Sequence, residues 1–325
     1  MKRSWRVLFL LALLLLTGLG ALMVGRFSVP AGEVLQALLG DAPALQQRLI
    51  VDIRLPRVLL ALIVGAGLSG AGAALQFLFR NPLAEPNLLG VSSGAAFGGI
   101  LMMMFIGDGW ALILGALAGG LLALAAVVWL AGSAQNQNAN DTLLLILSGI
   151  VMSALFSAGV SLMKLLADPQ NQLPSIVFWL MGSLAGTDRQ RVLTALPVIG
   201  GGLILLWLLR YQLMVITVQG AHTPRLIRAR RLALLAIGFI AAGSVAVCGV
   251  VGWVGLVVPH LVRMMLGQNH RYFLLYTSLA GASYFIAVDT LARTLSAVEI
   301  PLGVLTALLG APMFAGLIRR IRRSQ

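Results

Sequence analysis

Apolar residues fall in blocks of about 18 to 24 separated by short polar stretches, and each block is long enough to cross a hydrocarbon layer of about 30 Å as a helix. The blocks do not alternate apolar with polar, which excludes barrel strands. The pattern predicts ten spans, at about 5–24, 55–79, 90–106, 111–130, 142–166, 192–209, 232–250, 253–268, 272–293 and 303–321. The seventh to tenth are the hardest to separate. The longest polar stretches lie near 25–54, 167–191 and 210–231, and none is large enough for a soluble domain. The expected fold class is therefore all-α, a polytopic integral membrane protein forming one transmembrane domain over residues 1–325.

Composition sharpens this. Hydrophobic residues make up 59% and charged residues 10% of the chain, against roughly 25% charged in a soluble domain. The 37 glycines cluster inside spans, as at Gly65, Gly67, Gly70 and Gly72, or at Gly115, Gly119 and Gly120. In lipid such residues let helices approach closely. The single cysteine, Cys248, sits in an apolar run, so a disulfide framework and a cysteine metal site are both excluded. Lys2, Arg3 and Arg6 before an apolar run also fit a cleaved signal peptide. That run is long for one, and Gly18 to Gly25 offers no clear cleavage site, so it is read as a span.

The net charge of +13 is explained by the loops rather than by nucleic acid, because no basic face with interleaved aromatics exists. With the N-terminus in the cytoplasm, fifteen basic residues fall inside, among them Arg80, Arg210, Arg225, Arg228, Arg230, Arg231, Arg263 and Arg271, and eight fall outside. The positive-inside rule then places both termini in the cytoplasm.

No Gly-x-x-x-x-Gly-Lys-Ser/Thr loop is present, so nucleotide hydrolysis would have to come from another chain. Four stretches are more specific than hydropathy. The first is Val51-Asp-Ile-Arg-Leu-Pro-Arg57, with Ala74-Leu-Gln76 and Arg80-Asn-Pro-Leu-Ala-Glu-Pro-Asn-Leu-Leu-Gly-Val-Ser-Ser-Gly94 beyond the second span. The others are Phe178-Trp-Leu-Met-Gly-Ser-Leu184, the run from Gly252 through Pro259, His260 and Arg263 to Asn269-His-Arg271, and the run from Glu299 to Phe314.

Taken together these motifs resemble the permease family of type II ABC importers for siderophores, haem and vitamin B12, over nearly the whole chain. The resemblance implies a multi-pass protein of the bacterial inner membrane that is not itself an enzyme and binds no cofactor or metal. It implies three kinds of partner: a second permease copy, expected as a homodimer, a cytoplasmic ATPase dimer that uses ATP and Mg, and a periplasmic binding protein. It also implies that Arg54, Arg57 and Arg293 face outside and pair with acids on the binding protein, as guanidinium groups suit carboxylates. Interfacial snorkelling is the alternative.

Carried over in the same way, Asn81 and Leu83 match a turn that narrows the pathway at its cytoplasmic end, with Asp141 and Thr142 opposite; a simple structural turn is the alternative. Ser148, Met152, Leu155 and Gly159, at helical spacing, resemble the lining helix, although a Met and Leu stripe is more often core. The stretch 210–231 belongs to a cytoplasmic coupling loop, with Gly220, His222, Arg225, Arg228, Arg230 and Arg231 towards the ATPase. Here the sequence departs from the family, whose Gly-Glu-x-x-Ala-x-x-Leu-Gly pattern is missing. Those arginines suit acids on the ATPase and anionic lipid headgroups alike.

His260 and Arg263 share a helix face, but no second ligand stands at metal spacing, and Asp289 is expected to pair with Arg293 four residues on. An ion-coupled carrier would need intramembrane carboxylates, and only Asp289 qualifies. An intramembrane enzyme would need facing catalytic groups, and the three histidines are scattered. The expected cargo is an iron–siderophore first, haem second and cobalamin third, with small oxyanions such as molybdate a minority in the family.

Overall fold

The computed structural model describes residues 3–25, 27–132, 139–267 and 270–323, and every regular element in them is helical. Helix α1 (Arg3–Met23) is followed by two short helices, α2 (Ala31–Leu39) and α3 (Ala44–Gln47). Helix α3 runs through π-helical turns at Arg48–Arg54 into α4 (Leu55–Phe79). After a tight turn and a 3₁₀ segment, Pro86–Leu89, come α5 (Val91–Phe105), α6 (Trp110–Leu130), α7 (Ala139–Leu166) and the short α8 (Gln172–Leu180). Helix α9 (Arg189–Ala195) continues through a second π-helical stretch into α10 (Gly201–Leu208). The chain closes with α11 (Arg210–Gln219), α12 (Pro224–Cys248), α13 (Val254–Leu266), α14 (His270–Thr294) and α15 (Leu302–Arg323).

Among the described residues, seven helices are long and apolar enough to cross a membrane, and three shorter apolar ones join them at Val91–Phe105, Val254–Leu266 and Leu302–Gly316. These ten fall on the ten predicted spans with two shifted starts, the second apolar helix running from Ala44 rather than near residue 55 and α12 also starting early. Helix α12 begins at Pro224 rather than near residue 232, because Thr223 caps it by accepting from the Leu226 N–H and Pro224 suits the first helical turn. The polar stretch 210–231 is thus one helix, a turn and the start of another.

Helix α4 is buried almost end to end and forms the hub. Its glycine face is the reason: a methyl group at Gly65 would overlap the Gly281 carbonyl of α14, and one at Gly72 would overlap the Gly255 carbonyl of α13. Helices α5 and α6 meet the same way, through Gly94 and Gly98 against Gly115 and Gly119. Without a hydrophobic drive between helices in lipid, such backbone contact is what association depends on.

Helix α1 shows the opposite character. Most of its apolar side chains, Leu8, Leu11, Leu15, Leu16 and Leu19 among them, are exposed. That is the surface expected of a helix facing lipid tails.

Candidate functional site

At the end of the bundle where α4 begins and α14 finishes, five charged side chains converge. The Arg57 guanidinium donates from Nε and Nη2 to Asp289 at 2.9–3.1 Å, and from Nη1 and Nη2 to Glu299 at 2.9 Å. Arg293 lies one turn beyond Asp289, its Nε 3.9 Å from Oδ2, and donates through Nη2 to the Ala21 carbonyl. Arg54 is only 4% exposed and donates to the carbonyls of Leu22, Met23 and Phe27. The cluster therefore bolts the end of α1 onto α4 and α14.

In this chain the three arginines expected to meet a binding protein are turned inward. Arg54 and Arg293 are buried and Arg57 nearly so, and their donors are directed at acceptors of this same chain. The physical reason is local: the segment after α1 folds over them, so closely that a methyl at Gly25 would lie 2.9 Å from Arg54 Nη2 and 3.4 Å from Arg293 Nη1. Asp289 pairs with Arg293 on its own helix as expected, at 3.9 Å, and has a nearer partner in Arg57 across the bundle at 2.9 Å.

At the opposite end, α4 stops at Arg80, which adopts a left-handed backbone (φ 50°). Asn81 Oδ1 then accepts from the Leu83 N–H at 2.9 Å and its carbonyl accepts from the Ala84 N–H, making an ordered turn that leaves Leu83 half-exposed. The coupling stretch is tied to this turn. Arg80 Nη2 donates to the Ile216 carbonyl at 3.0 Å, Thr217 Oγ1 donates to the Phe77 carbonyl at 3.2 Å, and Gly220 turns the chain (φ 82°) beside Arg80 and His222. Residues expected to gate and residues expected to couple thus meet at Arg80. Arg225, Arg228 and Arg231 are exposed on the first turns of α12, and Arg230 is partly covered. Thr142 is partly covered near the start of α7, while the side chain of Asp141 lies outside the described residues.

Helix α7 presents the four residues expected to line the pathway on two faces. Ser148 and Met152 are each 8% exposed, and Gly159 packs on the Phe97 ring, so these three face the chain's own core. Leu155 is 62% exposed and lies on the other face, with Leu147, Ile150 and Val151. The cause is Gly149, whose missing side chain lets the helix sit on the Leu88 carbonyl of the 3₁₀ segment.

Sequence reasoning missed a polar knot in the middle of the bundle. Glu85 is folded inward and accepts the Trp253 backbone N–H at 2.7 Å. Trp253 is itself left-handed (φ 71°), and its ring packs edge-on near Phe314 and against Gly310 of α15. Gln76 of α4 accepts from Arg263 Nη2 at 2.8 Å. His260 borders an apolar cavity with Met264, Met313 and Phe314, and no group of three metal-ligating acids, cysteines or histidines occurs among the described residues. A glutamate between two prolines, followed by Asn87, was the one sequence signal for the knot.

A profile of the FecCD transport family matches residues 11–320. The chain belongs to the FecCD transport family. Within it, the molybdate import system permease protein MolB of Haemophilus influenzae is 42% identical, over 98% of this chain and 96% of its own length. The hemin transport system permease protein HmuU of Yersinia pestis is 38% identical over 98% and 96%, and a vitamin B12 import system permease protein BtuC of Serratia proteamaculans is 38% identical over 95% and 93%. A solved metal-chelate type ABC transporter in an inward-facing conformation superimposes with a TM-score of 0.87 at 38% identity, covering 96% of this chain and 98% of the other. The FecCD fold of this chain is accordingly that of an ABC importer permease, and its place is the bacterial inner membrane.

Proposed function

We propose that this FecCD chain carries cargo between two permease copies, driven by a cytoplasmic ATPase pair and supplied by a periplasmic binding protein. The observation that carries the reading is the family match across residues 11–320. The contact of α11 with the Arg80 turn supports a mechanism. A push on residues 219–223 from a nucleotide-bound ATPase reaches Asn81 and Leu83 through the Arg80–Ile216 and Thr217–Phe77 hydrogen bonds. The Arg80 end is then cytoplasmic, in keeping with the excess of basic residues there. Such a permease needs no catalytic residue of its own, because the conformational work comes from the ATPase's different affinities for nucleotide in two states.

For the cargo, the 42% match to the molybdate permease over nearly both full lengths puts a molybdate-type oxyanion first. The iron chelate expected from the sequence comes second, supported by a 39% match to a probable iron chelatin permease of Helicobacter pylori covering 84% of this chain. On this reading the pathway is lined by the open face of α7, with Leu155 and its neighbours, and Thr142 with the Asn81 turn closes it.

Uptake into proteoliposomes tests both levels. The permease, its ATPase and its binding protein are reconstituted and offered molybdate, a ferric siderophore, haem and cobalamin. ATP-dependent accumulation of molybdate alone supports the full reading. Accumulation of an iron chelate instead keeps the importer and replaces the cargo. Transport driven by an ion gradient, with no ATPase bound, overturns the importer.

A further inference from the structure

Where α4, α11, α13 and α14 meet at the Arg80 end, they leave a cavity of about 220 Å³ lined by Gln76, Arg80, Asn81, Thr217, Arg263 and Phe273. Arg263 is held in place from two sides. Its Nη2 donates to Gln76 Oε1 at 2.8 Å, and its guanidinium lies 5.0 Å from the centre of the Phe273 ring. Gln76 is fixed in turn, donating through Nε2 to the carbonyls of Ala84 and Gly255 at 3.4 Å. The other terminal nitrogen of Arg263, Nη1, is buried and has no hydrogen-bond partner. A charged donor taken out of water in this way is costly unless something in the cavity accepts from it.

Three properties select the occupant. The first is charge: Arg80 brings a second guanidinium to the same cavity, and the acceptors the two arginines reach, the Ile216 carbonyl and the Gln76 amide oxygen, are neutral. The second is the donor set. Asn81 Oδ1 is taken by the Leu83 N–H, so what its side chain offers a ligand is its NH2 group. Planar guanidinium forks together with an amide donor suit the oxygens of an oxyanion. The third is size. A volume of 220 Å³ equals that of roughly seven waters, room for a four-oxygen anion with a partial hydration shell. It falls below the roughly 300–1,000 Å³ of pockets for drug-sized ligands, which excludes a haem, a corrinoid or a ferric siderophore.

We propose that this cavity binds one small tetrahedral oxyanion of the molybdate, sulfate or phosphate type, with Arg263 Nη1 as the anchoring donor and Arg80 and Asn81 completing the grip. The bound anion joins the end of α4 to α13, beside the turn that carries Leu83. The inference rests on the Arg80 end being cytoplasmic, as in the reading above, and deepens it: where molybdate is the cargo, the delivered cargo is also a ligand of this site.

The test is equilibrium dialysis of the purified permease–ATPase complex, free of nucleotide and of binding protein, against radiolabelled molybdate, sulfate and phosphate in turn, with the permease alone run alongside. The wild type is expected to bind at least one of them saturably, one anion per permease chain, and the tightest of the three names the ligand. R263Q should weaken that binding at least about tenfold, and R263K should keep much of it. Asn81→Asp leaves both arginines in place and sets a carboxylate in the cavity; it should weaken binding as much as R263Q, and it carries the test if R263Q does not fold. The oxyanion should also raise the unfolding midpoint of the wild type and leave that of R263Q unmoved.

A wild type that binds none of the three overturns the proposal, since the cavity then holds water alone. Binding that R263Q and Asn81→Asp leave intact overturns it as well, because the anion then sits elsewhere, as in the translocation pathway. So does binding by the lone permease that the ATPase abolishes, since the arginines then serve a carboxylate of that partner. Uptake of an iron chelate in place of molybdate replaces the cargo and leaves these binding curves unchanged, while loss of oxyanion binding leaves the importer standing.

Discussion

Arg57 and Asp289 are 232 residues apart in sequence, yet Nε and Nη2 of the one lie 2.9–3.1 Å from the carboxylate oxygens of the other. The pair is nearly dry, with 11% and 3% of the two side chains exposed, so each charge depends on the other for what water no longer supplies. Glu299 completes the arginine's donors from the loop before α15.

Removing one partner should therefore cost more than removing both. Asp289→Ala is expected to destabilise the permease by about 3 kcal/mol or more, and Arg57→Met combined with Asp289→Leu to recover at least half of it. Unfolding midpoints in detergent read this directly. A single variant as stable as the wild type would show that the pair holds nothing together.

Gly72→Ala places a methyl group against the Gly255 backbone, where no side chain can move aside, and should cost about 1–3 kcal/mol. Gly18→Ala has open space around it and should stay within about 0.5 kcal/mol. Equal effects at the two positions would show that α4 and α13 are not in backbone contact.

Arg80→Ala with Thr217→Val cuts both hydrogen bonds between α11 and α4. The expected outcome is an importer that still hydrolyses ATP but transports at least about tenfold more slowly, a loss of roughly 1.4 kcal/mol in coupling. The ratio of cargo moved to ATP consumed is the measurement. An unchanged ratio would remove this contact from the mechanism.

Cysteines on the open face of α7 test which face meets the second copy. With Cys248 replaced, Leu155→Cys or Val151→Cys should form a disulfide between copies under oxidant, because symmetric positions near a two-fold axis come within the 4.4–6.8 Å Cα range. Met152→Cys, buried against the chain's own core, should not. Cross-linking at Met152 with none at Leu155 would overturn the assignment of the open face to the second copy.

The ten spans were legible because membrane crossing demands uninterrupted apolar length, a signal that neighbouring residues carry together. The start of α12 was less so: arginines at 225–231 look like loop, and only the Thr223–Pro224 cap marks the helix. The two faces of α7 could not be told apart in the sequence because Met152 and Leu155 are equally apolar. Asp289 had a plausible local partner in Arg293, and only the packing of α4 on α14 brings Arg57 closer. Arg54, Arg57 and Arg293 were identified as a set, but Arg54 and Arg293 donate to the main-chain carbonyls of Ala21, Leu22, Met23 and Phe27, and backbone carbonyls leave no mark in a side-chain pattern.

The Glu85–Trp253 bond has a further consequence, for biogenesis. Glu85 leaves the ribosome 168 residues before the backbone N–H that it accepts, and Arg57 leaves 232 residues before Asp289. The first third of the protein thus enters the membrane carrying charges whose counterparts have not yet been made. Until α13 and α14 arrive, those groups must be sheltered by the insertion machinery or by water at the bilayer surface. A nascent chain halted between α6 and α12 would still hold them unsatisfied, a polar flaw by which a membrane protease can tell an abandoned chain from a finished permease.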